Sequence, residues 1–324
     1  MASRGEGYDV VFFVSREDLR GIRTKVGDYV ETAAFAARYP DLGTAVIRFG
    51  DPTTSLDMDD ERCVVTQDRC GAVDLTRCRL FAYFPASFEP EDVSLRPAGT
   101  GDAEGVYDHR QWRVVAEYLE AALPRFGACV NEPLRARAGC NKLIQRDALR
   151  RAGLALPATT VGTARPGSRG PVMRKNLSET GRRDLDSPAV LAGAGEPASD
   201  AVPWLWQDYV AAEAEYRVYV MGEAITAVRI ATPERARMPD MRYRALSEAD
   251  FALVDDLGPH GARLIAATRE LGLGYAVYDA LPMGETLFVT EVNTNGTWFQ
   301  WPAPIRAVIA ERFHAFVHRL AIRG

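Results

Sequence analysis

A chain of 324 residues is long for one compact core and predicts two or three subdomains. With 47% apolar and 26% charged residues its composition is that of a folded globular protein, and a net charge of -5 excludes a broad basic face for nonspecific nucleic-acid binding. No apolar run reaches the roughly 18 residues of a membrane span, and the start MASRGEGYDVV lacks the apolar core of a signal peptide, so a cytoplasmic protein without a membrane or nucleic-acid partner is predicted.

Along the chain, YDVVFFVS and TAVIRFGD are continuous apolar runs of buried-strand length, and DYVETAAFAARYP between them reads as a helix stopped at Pro40. RCVVTQ, GAVDL and RLFAYFP follow as short strands. The loop PAGTGDAEG, residues 97–105, marks a boundary. Beyond it, DHRQWRVVAEYLEAALPRF places Trp112, Val115, Leu119 and Leu123 at helical spacing and reads as a packing helix. A second helix runs from about Asn141 to Arg151 and ends at Gly153, and Pro157 resets the chain into a strand. Lys142 sits in the first turn of that helix, where a cation opposes the helix dipole unless an anion is also there. Lys175 ends the strand PVMRK, and the polar loop NLSETGRRDLDS after it could close over a ligand.

EYRVYVMGEAITAVRIA predicts two strands joined at 221–223, with Glu215 and Arg217 on one face of the first and Tyr216, Val218 and Val220 on the other. A helix with an acidic start is predicted from about Ser247 to Leu271, and a closing helix from about Pro304 to Arg319. His314 and His318 are four apart on the closing helix, but H-E-x-x-H is absent and helix packing or solvation is the predicted role. The five cysteines, Cys63, Cys70, Cys78, Cys129 and Cys140, are odd in number and contain no C-x-x-C pair. They read as reduced thiols, since the spacings among the first three match no common zinc site.

The stretch FVTEVNTNGTW, residues 288–298, carries the strongest chemical signal. Glu291 and Asn293 are two apart in a strand and therefore present oxygen atoms to one side, while Phe288 and Val292 pack on the other. Two oxygen ligands suit a hard cation, and Mg²⁺ takes one or two carboxylates and completes its shell with water and phosphate oxygens. Asp279 lies twelve residues before Glu291, one strand, a glycine-containing turn and a return strand away, so that Asp279, Glu291 and Asn293 could converge on a metal, the alternative being solvated residues at strand ends. No Walker A loop, G-x-S-x-G, Rossmann G-x-G-x-x-G or internal repeat occurs.

In this order, NKLIQRDALRRAGLALPATTVG, VMRK, WQDYVAAEAEYRVYVMGEAITAVRI, YAVYDA and FVTEVNTNGTWFQW, over residues 141–301, resemble an ATP-grasp carboxylate-amine ligase. Within that superfamily the similarity is to RimK-like ligases, and especially to the microviridin-type (graspetide) ligases that cross-link ribosomally made peptides. The resemblance implies an α/β (α+β) ATP-grasp fold with an N-terminal pre-ATP-grasp α/β domain and a nucleotide site between two α+β subdomains. The predicted division is an N-terminal domain over 1–105, a linker helix and central subdomain over 106–205, and a C-terminal subdomain with the Mg/ATP site over 206–324.

The same resemblance implies roles for single residues. Lys142 and Lys175 match the lysines that contact ATP phosphates, with Arg174 beside Lys175 as the alternative cation. Gln207, Asp208, Tyr209 and Val210 match the segment lining the adenine pocket, and Glu215 the acceptor of the ribose hydroxyls. Arg217 and Arg229 match arginines facing the phosphates or an acyl phosphate, and Asp279, Glu291 and Asn293 match the magnesium ligands. Asp240 and Arg242 match substrate contacts. Two departures stand out: the loop after Lys175 has a single glycine, Gly181, followed by Arg182 and Arg183, and FAYFPASFEP stands where cross-linking ligases carry an arginine-bearing stretch.

The implied activity is ATP-dependent activation of a carboxylate as an acyl phosphate and its capture by an amine or hydroxyl. The expected product is a side-chain ester or amide in a precursor peptide. The alternatives are a ligase for a small-molecule carboxylate and, third, a noncatalytic ATP-binding protein. A homodimer is expected from the resemblance alone.

Overall fold

The computed structural model describes residues 7–15, 31–85, 93–96, 103–167, 170–177, 189–192, 199–212, 214–231 and 246–323. The chain opens with β1 (Val10–Val14), α1 (Thr32–Arg38), β2 (Thr44–Arg48), β3 (Ser55–Met58), β4 (Cys63–Gln67), β5 (Gly71–Asp74) and β6 (Leu80–Phe84). It continues with α2 (Ala103–Phe126), β7 (Ala128–Cys129), α3 (Pro133–Gly139), α4 (Lys142–Arg151), β8 (Thr159–Ala164), β9 (Val172–Lys175), β10 (Ala189–Ala192) and β11 (Ser199–Asp208). The last part comprises β12 (Ala214–Met221), β13 (Ala224–Ala231), β14 (Phe251–Val254), α5 (Pro259–Glu270), β15 (Tyr275–Met283), β16 (Thr286–Asn293) and α6 (Ala303–Ala321).

These elements form two compact units, one of residues 1–137, 272–274 and 295–324, the other of residues 138–271 and 275–294. Helices α2 and α6, placed by the linear reading in the central and C-terminal parts, both belong to the first unit. Among the described residues no helix is long and apolar enough to cross a membrane.

The first unit is built on a parallel sheet in the order β2-β1-β6-β7 and a small antiparallel sheet β3-β4-β5. The unbroken apolar runs VVFFV and LFAYF are buried along their whole length, as a parallel sheet covered on both faces requires. Phe12 meets Phe35 of α1 edge-on at 5.3 Å, and Phe84 meets Phe313 of α6 at 5.5 Å. Of the two roles open to the histidines of α6, the structure shows packing: His314 lies against Phe35 at 5.6 Å and His318 stacks on Tyr39 at 4.2 Å. A backbone contact crosses this unit at Gly274, whose N–H donates to Asn131 Oδ1 at 2.9 Å. A Cβ at Gly274 would stand 2.6 Å from the carbonyl oxygen of Val130, so the approach is open only to glycine. No disulfide joins any of the five cysteines.

The second unit holds two antiparallel sheets, β10-β9-β11-β8 and β14-β13-β12-β15-β16. Helix α5 packs behind the five-stranded sheet, where the hydroxyls of Thr268 and Tyr278 share a buried hydrogen bond of 2.7 Å. The single helix predicted from 247 to 271 is not what forms. Ser247 and Asp250 close a one-turn 3-10 segment instead: the Ser247 N–H and hydroxyl both donate to Asp250, at 2.7 and 2.8 Å. The apolar run FALV then pairs with β13 as an edge strand, from Ala227 opposite Val254 to Ile230 opposite Phe251. Gly258 at φ 54° breaks the chain, and Pro259 starts α5 at its first position. An acidic cap and an apolar run thus served a turn and a strand, because an open sheet edge supplied the hydrogen bonds that a helix would have had to make for itself.

Candidate functional site

Three neighbouring strands of the second unit bring the sequence candidates together. Arg217 on β12 is the direct partner of Asp279 on β15, and Asp279 is the direct partner of Glu291 on β16. Opposed residues in a sheet share a face, so a cation and two carboxylates form a row across the strands. Val277 stands opposite Asn293, which places Asn293 on the same face one step further along. The register shifts just after Asp279, a bulge that lies beside the row and re-aims the chain at its edge.

The polar atoms of this row touch. Arg217 donates to Asp279, and Asn293 Nδ2 donates to the other carboxylate oxygen of Asp279 at 3.4 Å. From α4, the buried ammonium of Lys142 lies 3.3 Å from Glu291 and donates to the carbonyl of Asn176 at 2.9 Å. Helix α4 starts where it does because Asn141 caps it, accepting from the N–H groups of Leu143 and Ile144. That cap fixes Lys142 in the first turn, so the cation predicted to need an anion finds the carboxylate of Glu291.

Electrostatics distinguishes the two acids. Burial pushes Asp279 up and Arg217 pulls it back, with Glu291 adding repulsion, and the net direction is upward. Burial also acts against ionisation of Glu291, but Lys142 and then Lys175 outweigh it and hold this carboxyl below its usual range. Burial likewise opposes the charge on Arg217, yet the attraction of Asp279 prevails and strengthens its protonation.

The donor set fits Mg²⁺. Among the described residues no three His, Cys, Asp or Glu side chains gather around one point, so a cation here would take two carboxylates and one amide and leave the rest of its shell to other oxygens. That is the ligand count Mg²⁺ accepts when phosphate and water complete an octahedron. Lys142 and Arg217 neutralise the same carboxylates from the sides.

The four-stranded sheet contributes Lys175 and Gln207. Lys175 pairs with Leu205 and Gln207 with Met173, which puts these four side chains on one face. Arg174 is on the other face with its guanidinium 4.6 Å over the Trp204 ring, so Lys175 is the cation whose charge reaches Glu291. A pocket between α4, β11 and β16 is lined by Lys142, Gln145, Leu205, Gln207, Val289 and Thr290. Gln207 is buried, Asp208 exposed, Tyr209 half-buried and Val210 buried against Leu281 and Phe288. The N–H groups of Asp208 and Tyr209 donate to Ala158 and Pro171, which holds this connection extended. Glu215 lies half-buried on the face of Arg217, two residues before it.

The structure does not bring every candidate to this row. Arg229 is the partner of Tyr216, hence on the opposite face from Arg217, and is exposed. Asp240 and Arg242, and the loop carrying Gly181, Arg182 and Arg183, lie outside the described residues. Two residues join the site without any sequence signal: Asn176, through its carbonyl, and Gln145, a buried glutamine that hydrogen-bonds the backbone of Val292. A glutamine in an amphipathic helix is unremarkable as sequence.

No protein-family model matches the chain, and no curated protein matches it. Solved structures do, over nearly the whole length. The chain is similar to the macrocyclase MdnC of Microcystis aeruginosa MRC, solved with the precursor peptide MdnA (15% identity, 96% of this chain and 99% of that one, TM-score 0.68). It is similar to a RiPP-associated ATP-grasp ligase of Chryseobacterium gregarium, solved with ADP and a leader and core peptide (14%, 98% and 97%, TM-score 0.69). The D-alanyl-alanine synthetase A of Vibrio cholerae is also similar (12%, 98% and 98%, TM-score 0.59). The chain has the fold of these ATP-grasp ligases.

Proposed function

We propose that this protein is an ADP-forming ligase that uses ATP and Mg²⁺ to activate a side-chain carboxylate of a precursor peptide and joins it to an amine or hydroxyl of the same peptide. The observation that carries this reading is the row Arg217, Asp279, Glu291, Lys142 with Asn293 beside it, set in a fold shared with structures solved with precursor peptides. A carboxylate is a poor acyl donor because oxide would have to leave. Attack of the carboxylate oxygen on the γ-phosphorus of ATP releases ADP and gives an acyl phosphate. Attack of the amine or hydroxyl on that acyl carbon then releases phosphate, and the nucleophile loses its proton.

For this chemistry the chain mainly supplies position and charge. Lys142 and Lys175 bind phosphate oxygens. Gln207, Asp208, Tyr209 and Val210 line the base end of the nucleotide site, and Glu215 accepts from the ribose hydroxyls. Arg217, held beside Asp279, faces the transferring phosphoryl group. Asp279, Glu291 and Asn293 would hold Mg²⁺, which when bound withdraws charge from the phosphate oxygens. Arg229, on the other face of the sheet, has no part in this assignment. Asp240 and Arg242 are proposed substrate contacts on the resemblance alone.

The test is ADP release by the purified protein with ATP and Mg²⁺, supplied either with acidic, Thr-rich peptides or with free amino acids and amines, with products weighed by mass spectrometry. Loss of one water from the peptide per ADP supports the peptide ligase. A second reading, a ligase joining two small molecules, is favoured by the likeness to the D-alanyl-alanine synthetase, and ADP formed only with free amino acids and amines would select it.

A further inference from the structure

The side-chain amide of Gln145 is buried and makes three hydrogen bonds. Its Oε1 accepts from the N–H of Val292 at 3.0 Å, and its Nε2 donates to the carbonyl of Val292 at 2.7 Å and to the carbonyl of Gly139 at 2.8 Å. Val292 is the residue between Glu291 and Asn293. Among the described residues β16 is the outer strand of its sheet, and no further strand there pairs with the outward N–H and C=O groups of Val292. Gln145 supplies the donor and acceptor that such a strand would have provided. Further down the same edge, Ala155 does the equivalent with its backbone, accepting from the N–H of Val289 at 2.9 Å.

Gln145 is three residues after Lys142 and so lies on the same face of α4. One helix face therefore reaches β16 twice, through the ion pair of Lys142 with Glu291 and through the amide clamp on the next residue. The peptide groups flanking Val292 set where the side chains of Glu291 and Asn293 point, because the two side chains leave the chain on either side of it. A rotation of that segment would separate two oxygen ligands that now share a face.

We infer that Gln145 is a positioning residue: its amide fixes the Val292 backbone and thereby aims Glu291 and Asn293 at one divalent cation bound with the nucleotide. The inference rests on the proposed ligase reading for the identity of that ligand. The chemistry at position 145 is demanding. Asparagine is one methylene too short to reach, glutamate cannot donate to Val292 or Gly139, and methionine has the length with neither donor nor acceptor.

The test measures Mn²⁺ binding in the presence of ADP by the loss of the free-ion electron paramagnetic signal, and ADP binding in EDTA by calorimetry. The proteins are the wild type, Gln145→Met, Gln145→Asn and Thr268→Val. The last removes a buried hydroxyl behind the same sheet and is the control for lost stability. Both Gln145 variants are expected to weaken Mn²⁺ binding by about 10-fold or more, the usual effect of removing a group that orients a metal ligand. ADP binding in EDTA should change less than about 3-fold on the same scale, and Thr268→Val should match the wild type in both. Wild-type Mn²⁺ affinity in whichever Gln145 variant folds would overturn the inference, as would an equal loss in Thr268→Val. A wild-type protein with no Mn²⁺-dependent binding of ADP would overturn the ligase reading together with it, whereas intact wild-type binding unaffected by Gln145 variants overturns the inference alone.

Discussion

Asp279 and Glu291 stand directly opposite one another on β15 and β16, two carboxylates flanked by Arg217 on one side and Lys142 on the other. Like charges facing each other across a strand pair are unfavourable by up to about 1 kcal/mol, and side chains chosen only for stability would not be placed so. The two flanking cations neutralise the pair without removing its oxygen atoms.

Replacing Glu291 with Gln should therefore separate function from folding. The amide still accepts from Lys142, which also keeps its bond to the Asn176 carbonyl, so the melting temperature should shift by no more than a few degrees, in line with a change of about 1 kcal/mol. ADP formation should fall on the order of 10²-fold or more, since under the proposed function the site loses one of the charged groups assigned to the cation that neutralises phosphate. Full activity in Glu291→Gln, measured by a coupled ADP assay, would remove Glu291 from the proposed cation site.

Adjacent cations on β9 should behave oppositely. Lys175→Ala should weaken nucleotide turnover on the order of 10²-fold with a small change in melting temperature. Arg174→Ala should lower stability by about 0.5 to 2 kcal/mol through loss of the stacking on Trp204, and leave kcat/KM within a few fold. Parallel denaturation curves and steady-state kinetics on the two variants check both arms. The reverse pattern would assign the phosphate contact to Arg174.

Alkaline pH should destabilise the first unit through its thiols. Burial, reinforced by Asp74, pushes Cys63 up to about 11, and burial pushes Cys129 up to about 12, with Glu132 adding to it. A folded-state value raised above the unfolded one gives stability that is complete below the unfolded value and lost as pH rises through the folded one. The melting temperature should accordingly decline between about pH 9 and 12, and less so in Cys63→Ala than in the wild type after correction for the baseline effect of the substitution. At pH 8 a thiol reagent followed by peptide mass mapping should leave Cys63, Cys78 and Cys129 unlabelled in the native protein.

At Gly274 the addition of one carbon should be costly. A Cβ would stand 2.6 Å from the backbone carbonyl of Val130, which cannot rotate away as a side chain would. Gly274→Ala should destabilise by about 1 to 3 kcal/mol or more in chemical denaturation.

The parts of this protein that could be read from its sequence are those where one local pattern has one outcome. The strand alternation at 291 and 293 and the aspartate one hairpin earlier predict a meeting, but the register set by the turn would put Thr290 opposite Asp279, and only the bulge after Asp279 brings Glu291 there. The unbroken runs of β1 and β6 admit little besides buried parallel strands. Residues 247–271 were misread because Ser247 and Asp250 satisfy each other in a single turn, and because FALV found a free edge on β13, a tertiary fact invisible in the local pattern. Arg229 carried the right charge for a phosphate contact, but its pairing with Tyr216 decides its face, and pairing is known only once both strands are placed. Gln145 was missed for a related reason: its role comes from the backbone it meets, and backbone has no sequence signature.

The first unit is completed by residues 295–324, although its sheet is made entirely before residue 130. Phe84 and Phe35, which receive Phe313 and His314 of α6, are synthesised long before their partners. During translation the nascent sheet therefore waits with part of its aromatic surface uncovered while the whole of the second unit emerges, and that interval is when the chain is most exposed to aggregation. A truncation that removes α6 would make the interval permanent, leaving Phe35 and Phe84 without the aromatic partners that this helix brings.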